Sequence, residues 1–169
     1  MTDVIISDTS VLINFLKIDR LELLGRCSER FLVTDHVREE ITDNFLEQLQ
    51  RFQKGLQKQI LEEIRVVDSA EMEIFSTLMQ KRKLGIGECS AISVAIHRQC
   101  ALAIDDNLAI KITLSLAPAL PILRTQDLMV KMIQEDIISV SEADAILHDW
   151  AKNHRFKLKI DSFEELLVF

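Results

Sequence analysis

The stretch VIISDTSVLIN, residues 4–14, decides how the chain begins to fold. Its apolar start, Val4–Ile6, is typical of a short buried strand in a parallel sheet. The polar residues that follow, beginning near Asp8, are types that cap helices, and the apolar run from Val11 to Leu16 favours a helix. We therefore predict a strand, a tight turn and a helix, with Asp8 at the carboxyl end of the strand.

Strands and helices alternate along the rest of the chain. Further strands are predicted at residues 31–33, 64–67, 101–104 and 122–123. Helices are predicted at about 19–26, from about 36, at 44–64 with a break at Gly55, and at 70–82, 88–98, 108–116, 126–136, 142–153 and 162–167. The helix at 88–98 is apolar on nearly all sides, which favours a central position. This alternation predicts an α/β fold with a mainly parallel sheet.

Composition narrows the class of protein. The 169 residues suit one globular domain, with 48% hydrophobic and 28% charged residues. No apolar run is long enough to span a bilayer, and the start of the chain lacks the features of a signal peptide, so we expect a cytoplasmic protein without a membrane partner. Three cysteines without a Cys-x-x-Cys spacing argue against a disulfide framework or a zinc site.

The net charge of −7 bears on the choice of partner, because nucleic acid attracts basic proteins. Two interpretations remain open. Either the chain does not bind nucleic acid, or some of its acids hold a cation that reverses the local sign. The sequence has no glycine-rich phosphate loop and no Gly-x-Ser-x-Gly elbow, which argues against nucleotide cofactors and a serine hydrolase.

Five acids stand where a parallel sheet would bring them together. Asp8 follows the first predicted strand, Asp105 and Asp106 follow the strand at 101–104, and Glu40 and Glu88 lie near helix starts. Each acid alone is explained equally well as a helix cap or a solvated residue. Together at the carboxyl edge of the sheet they would repel one another unless a divalent cation such as Mg²⁺ or Mn²⁺ were bound.

Four segments also resemble the acidic motifs of PIN-domain proteins, in the same order. They are residues 7–14 around Asp8, 36–41 around Glu40, 84–92 around Glu88 and 104–109 around Asp106. The match extends from residue 3 to about 124. The helical tail, about 125–169, resembles more loosely a prokaryotic subgroup related to VapC-type toxins. The resemblance implies a single domain over residues 1–169, with a three-layer α/β/α fold.

The resemblance also implies an activity, that of a Mg²⁺- or Mn²⁺-dependent ribonuclease. By this resemblance, four carboxylates hold the metal and position the attacking water: Asp8, Glu40, Glu88 and Asp106. Asp106 matches the usual acid better, and Asp105 is its plausible partner as a metal ligand. Which of Asp105 and Asp106, and which of Glu39 and Glu40, faces the metal stays open. Many relatives have Asp where this chain has Glu88. The remaining supporting residues are Thr9 or Ser10 as a hydroxyl near the metal, and Asn14, four residues beyond Ser10 on the same helix face.

The expected partners follow from the same resemblance: an RNA substrate, a small antitoxin protein and a second copy of the chain in a homodimer. The basic triplet Lys81, Arg82 and Lys83 is the candidate RNA contact. A competing hypothesis is a non-catalytic PIN-fold module that binds RNA or protein. A third is a phosphatase or DNA-directed nuclease that uses the same carboxylates.

Overall fold

The computed structural model describes residues 3–167, which form one five-stranded sheet in which all strands are parallel. The strands are β1 (Val4–Ser7), β2 (Arg30–Thr34), β3 (Leu61–Ile64), β4 (Ala101–Ala103) and β5 (Ile122–Leu123). Their order across the sheet is β3-β2-β1-β4-β5. The predicted parallel α/β fold is therefore confirmed.

The helices fill the connections between these strands. Within residues 3–167 the α-helices are α1 (Thr9–Lys17), α2 (Glu22–Gly25), α3 (Asp35–Glu40), α4 (Leu46–Gln57), α5 (Ser69–Gln80), α6 (Ile86–Arg98), α7 (Asn107–Leu116), α8 (Thr125–Gln134) and α9 (Val140–Asn153). Short 3-10 helices lie at Asp43–Phe45 and Phe163–Leu166. Of the helices described, none is both long and apolar enough to cross a bilayer.

The sheet order reverses at its centre, and this reversal places the helices. The connections from β1 to β3 step in one direction, whereas those from β3 through β4 to β5 step in the other. Because parallel crossovers are right-handed, α1 and α4 lie on one face and α6 and α7 on the other. The three-layer α/β/α arrangement is thus confirmed. The reversal leaves a crevice beyond the carboxyl ends of β1 and β4, where ligands bind in open α/β sheets.

Helix α6 is the central helix of its face, as its all-round apolarity predicted. Its residues 89–95 are all buried. On the opposite face, Trp150 of α9 is fully buried and donates a hydrogen bond from Nε1 to the carbonyl of Asn14, 2.8 Å away. Its ring also packs edge-on against Phe15 of α1, with centroids 5.9 Å apart. The C-terminal helices therefore hold α1 against the sheet.

Three predictions for residues 44–67 are wrong. The helix predicted to residue 64 ends at Gln57. The strand predicted at 64–67 lies at Leu61–Ile64, where it pairs with β2 at Phe31–Thr34, and Val67 is 72% exposed. The predicted break at Gly55 does not exist, since this glycine lies inside α4. A side chain at position 55 would collide with Leu21, so the glycine permits close packing between α4 and the segment after α1.

Candidate acidic site

Asp8 connects β1 to α1 at the sheet crevice. Its backbone N–H bonds to the Ala103 carbonyl of β4 at 2.9 Å, and its side chain caps α1. The side chain is 1% exposed, and Oδ2 accepts hydrogen bonds from the Ser10 amide at 3.1 Å and the Ser10 hydroxyl at 2.7 Å. The other oxygen, Oδ1, is buried and accepts no hydrogen bond from residues 3–167. Half of this buried carboxylate is therefore unsatisfied.

Glu40 is the last residue of α3, and its side chain bridges two elements at the same edge. Oε1 accepts a hydrogen bond from the Gly87 amide at 2.9 Å, and Oε2 accepts one from the Thr9 hydroxyl at 2.5 Å. A Cβ at position 87 would overlap the Glu40 carboxylate. Gly87 thus allows the carboxylate to reach the start of α6, and Glu40 is the residue of the 39–40 pair that makes these contacts.

Glu88 lies in the first turn of α6. Its Oε2 accepts a hydrogen bond from the backbone N–H of Gly85 at 3.1 Å, the arrangement of a residue that caps its own helix. A Cβ at position 85 would lie 3.6 Å from Glu40 Oε1 and 4.0 Å from Glu88 Oε2. The two glutamates therefore border the same small space at the start of α6.

The two aspartates after β4 have different surroundings. Asp106 is exposed and caps α7, where Oδ1 accepts a hydrogen bond from the Ala109 amide at 2.8 Å. Asp105 instead holds the start of α8, since Oδ1 accepts from the Thr125 amide at 2.9 Å and Oδ2 from the Thr125 hydroxyl at 2.6 Å. Both oxygens of Asp105 are thus occupied. By contrast, Asp106 Oδ2 accepts no hydrogen bond within the described chain.

Asn14 and Ser10 connect these aspartates. The Asn14 amide, 3% exposed, donates to Asp105 Oδ2 at 3.2 Å and to the Thr125 hydroxyl at 3.0 Å. Ser10 accepts a hydrogen bond from the Asp105 amide at 3.1 Å while donating to Asp8. Asn14 therefore supports Asp105, and Ser10 ties the ends of β1 and β4 together. Sequence reasoning missed Thr125, although it immediately precedes the helix predicted at 126–136.

The acids lie close enough to affect one another's protonation. Burial raises the pKa of Asp8, the hydrogen bonds from Ser10 oppose that change, and the negative charge of Glu40 adds to it. Burial also raises the pKa of Glu88; the Gly85 amide opposes this change, and the charges of Asp8, Asp106 and Glu40 reinforce it. Among residues 3–167, no Lys, Arg or His lies within 4.0 Å of any of these four carboxylates.

The donor chemistry of this group fits a hard divalent cation. Asp8 Oδ1 is a buried anionic oxygen that lacks a donor, and oxygen ligands suit Mg²⁺ and Mn²⁺. Yet in the described part of the chain, no three His, Cys, Asp or Glu side chains are grouped as they would be around an ion. Asp8, Glu40, Glu88 and Asp106 each use an oxygen to accept a hydrogen bond from a backbone N–H group.

The basic triplet at residues 81–83 directly precedes the segment that carries Gly85, Gly87 and Glu88. Lys81, Arg82 and Lys83 are exposed and occupy the turn between α5 and Gly85. Arg82 adopts a left-handed backbone conformation, with φ of 52°. The triplet therefore presents positive charge only a few residues before the segment that contacts Glu40 and Glu88.

Comparison with known proteins agrees with this architecture. No curated protein matches the chain. A family model described as a PIN domain matches residues 4–168, nearly the whole length. The match includes the sheet, the acidic group at its carboxyl edge and the C-terminal helices that hold α1. The chain therefore belongs to the PIN-domain family, whose members are commonly nucleases.

Proposed function

We propose that this protein is an endoribonuclease that depends on Mg²⁺ or Mn²⁺. The observation that carries the proposal is Asp8, a carboxylate 1% exposed with one unsatisfied oxygen and no cation within 4.0 Å among residues 3–167. Burying a charge without a partner is unfavourable, because the charge loses its hydration. A bound cation would compensate the charge of Asp8.

Each residue of the site has a role in this proposal. Asp8, Glu88 and Asp106 hold the metal, and Glu40 helps to position the attacking water. Ser10 keeps Asp8 oriented through two hydrogen bonds to Oδ2, which leaves Oδ1 free for the ion. We assign Asp106 rather than Asp105 as the ligand, because both oxygens of Asp105 are occupied by α8 and Asn14. When bound, the divalent ion would act as a Lewis acid and activate water.

Substrate binding would use charge rather than base recognition. Lys81, Arg82 and Lys83 are exposed near the site and are suited to phosphate contacts. Contacts with phosphates do not distinguish one base from another, so we expect little sequence specificity. Together with the ion, they would offset the chain's net charge of −7 where RNA approaches.

The test is the variant Asp8→Asn, assayed for Mn²⁺-dependent cleavage of a labelled single-stranded RNA. Asparagine caps a helix as well as aspartate does, so α1 should remain intact. Activity should fall by more than the roughly 10- to 100-fold that is lost when a residue that only orients a metal ligand is changed. Asp68→Asn is the matched control, because Asp68 is an exposed aspartate that caps α5 in the same way. Cleavage by Asp8→Asn at the wild-type rate would disprove the site.

The biological setting extends the proposal further. We propose a cytoplasmic toxin of the VapC-related type, a homodimer restrained by a small antitoxin protein. Induced expression should then arrest growth of a bacterial host, and Asp8→Asn should relieve the arrest while the protein accumulates to the same level. Light scattering after gel filtration would determine whether the chain is a dimer. A monomer, or equal growth arrest by both forms, would contradict the corresponding part of this setting.

A specific observation favours a second function, a PIN-fold module that binds RNA or protein without catalysis. Within residues 3–167 the acids are not grouped around an ion position, and all four acids assigned to the site bind backbone N–H groups. Calorimetric titration with Mn²⁺ separates the two functions. Heat of binding that disappears in Asp8→Asn supports the nuclease, whereas no binding to the wild type supports the module.

A further inference from the structure

Arg124 is held beside the acidic site by hydrogen bonds, and the metal-binding role proposed for the acids gives it no function. It lies between β5 and α8, at the carboxyl edge of the sheet and next to β4. Its guanidinium donates from Nη1 to the carbonyl of Asp105 at 3.2 Å and from Nη2 to Oδ1 of Asn107 at 2.5 Å. The two bonds hold the guanidinium on the residues that flank Asp106 in the chain.

The charge of Arg124 is not neutralised by the part of the protein that the structure describes. Both acceptors are neutral, and among residues 3–167 no carboxylate oxygen lies within 4.0 Å of the guanidinium. Some arginines are neutralised, since Arg30 binds Glu62 and Arg98 binds Glu71, whereas four exposed or partly exposed arginines share with Arg124 the lack of a carboxylate partner among residues 3–167: Arg26, Arg65, Arg82 and Arg155. Arg124 is distinguished by its place beside the acidic site and by its two hydrogen bonds there. A guanidinium has five N–H donors, so donors remain for an external ligand.

The chemistry of this position suits a phosphate. A strand of RNA that approaches Asp8 and Asp106 meets several negative charges, and a single fixed cation at the rim would offset part of that repulsion. The planar guanidinium matches phosphate geometry better than a mobile ammonium group does. Because Arg124 is only half-buried, its free donors are accessible to such a ligand.

We infer that Arg124 binds a backbone phosphate of the RNA strand next to the nucleotide held at the acidic site. The inference rests on the proposed function for the identity of the strand, but the binding can be measured without cleavage. It adds a hydrogen-bonded cation to the exposed charges of residues 81–83. It also assigns a use to a residue that no sequence motif singled out.

A purely structural role would have different consequences. If Arg124 only steadied the turn at residues 105–107, its loss would misplace Asp106 and slow the chemical step. It would not change how strongly RNA binding depends on salt. Each phosphate contact made by a cation contributes about 0.7 to the slope of log Kd against log salt for a single strand. The salt slope is therefore the measurement that separates the two roles.

The experiment compares wild type with Arg124→Gln, Arg124→Lys and the control Lys58→Gln. Lys58 is exposed and lies just before β3, at the opposite edge of the sheet from Arg124. Lys58→Gln therefore removes one positive charge, as Arg124→Gln does, but far from the acidic site. Binding of a labelled single-stranded RNA is measured by fluorescence anisotropy in EDTA, which prevents metal-dependent cleavage, over a range of KCl concentrations. Thermal melting verifies that every variant is folded.

Arg124→Gln should weaken RNA binding by about tenfold and lower the salt slope by about 0.7, as expected for one lost charged contact. Arg124→Lys should keep the wild-type slope and lose only part of the affinity, while Lys58→Gln should match wild type. In Mn²⁺ assays, Arg124→Gln should raise KM more than it lowers kcat. An unchanged slope in folded Arg124→Gln would overturn the inference.

The two proposals fail in different ways. If wild type shows no Mn²⁺-dependent cleavage but Arg124→Gln lowers the salt slope, the nuclease proposal is wrong and the phosphate contact stands. If wild type cleaves RNA and Arg124→Gln binds with the wild-type slope, the contact is wrong and the nuclease proposal stands.

Discussion

Asp8 and Glu71 are two carboxylates with the same burial, each 1% exposed, and with opposite surroundings. Glu71, in α5, accepts hydrogen bonds from Arg98 Nε at 2.6 Å and from His97 Nδ1 at 3.1 Å. This carboxylate also holds the pKa of Arg98 above its ordinary value. Asp8 has only neutral donors on one oxygen and the negative charge of Glu40 nearby, and its pKa is raised by burial and by that charge.

The difference separates a structural acid from a functional candidate. The charge of Glu71 is compensated within the chain, and the ion pair joins α5 to α6. The charge of Asp8 is not compensated by residues 3–167, so its burial opposes folding. Perturbed carboxylates of the second kind concentrate at functional sites. Mn²⁺ binding and substitutions at each acid test whether the two differ in this way.

The largest expected effect is stabilisation of the wild type by Mn²⁺. A ligand that binds only the folded state at 100 times its Kd stabilises that state by about 2.7 kcal/mol. Thermal melting with and without saturating Mn²⁺ measures the shift. Glu71→Gln should show the same Mn²⁺-dependent increase, whereas Asp8→Asn should show none. An equal increase in Asp8→Asn would place the ion elsewhere.

Loss of the compensated acid should destabilise the fold. Glu71→Gln removes the negative partner of Arg98 and is expected to lower the free energy of unfolding by about 1–2 kcal/mol, since Arg98 is partly solvated. Urea denaturation measures the change. Glu73→Gln, an exposed glutamate on the same helix, is the control and should match wild type. A Glu71→Gln variant with the wild-type free energy of unfolding would contradict the view that Glu71 differs from Asp8 by stabilising the fold.

Gly87→Ala tests the contact between α6 and Glu40. The added methyl group overlaps the Glu40 carboxylate, which can move aside because it ends a flexible side chain. We expect little change in melting temperature and a loss of cleavage activity of about tenfold, the lower end of the effect of displacing a residue around a metal. Gly85→Ala is the control, since its Cβ has ordinary contacts of 3.6 Å and 4.0 Å. Equal activity in both variants would exclude Glu40 from the site.

The smallest expected effect is an increase in the free energy of unfolding, whereas Glu71→Gln should lower it. Without metal at neutral pH, Asp8→Asn should be about 1 kcal/mol more stable than wild type, because a buried uncompensated charge is removed. The pKa of Asp8 is raised in the folded state, so protonation stabilises wild type at low pH and that stability is lost as pH rises. The advantage of the variant should therefore shrink towards pH 4 and grow towards pH 7. Urea denaturation across this range measures it, and an advantage that grows at low pH would refute the assignment.

Much of the arrangement followed from local sequence. The apolar run before Asp8 and the capping residues after it define β1 and α1, because strand burial and helix capping depend on neighbours a few residues away. The all-round apolar segment at 88–98 predicted the central helix for a similar reason. The positions of Asp8, Asp105 and Asp106 at strand ends then followed from the rule for parallel sheets.

Other features depended on contacts between distant segments. Gly55 looked like a helix break, and only the packing of Leu21 against it explains a glycine inside α4. The register of β3 was misjudged because Leu61 pairs with Phe31 across thirty residues of chain. The different surroundings of Asp105 and Asp106 arise from Thr125, which is also remote in sequence.

The sequence by itself therefore determined the order of strands and helices and the acids at their ends, because those depend on burial and capping within a few residues. The tertiary structure alone decided which acids are satisfied and which are not. It shows that Asp105 is bound by α8, that Glu40 reaches Gly87, and that one oxygen of Asp8 has no hydrogen-bond partner among residues 3–167. The physical reason is that a charge is compensated by whatever lies near it in space, and the fold sets those distances.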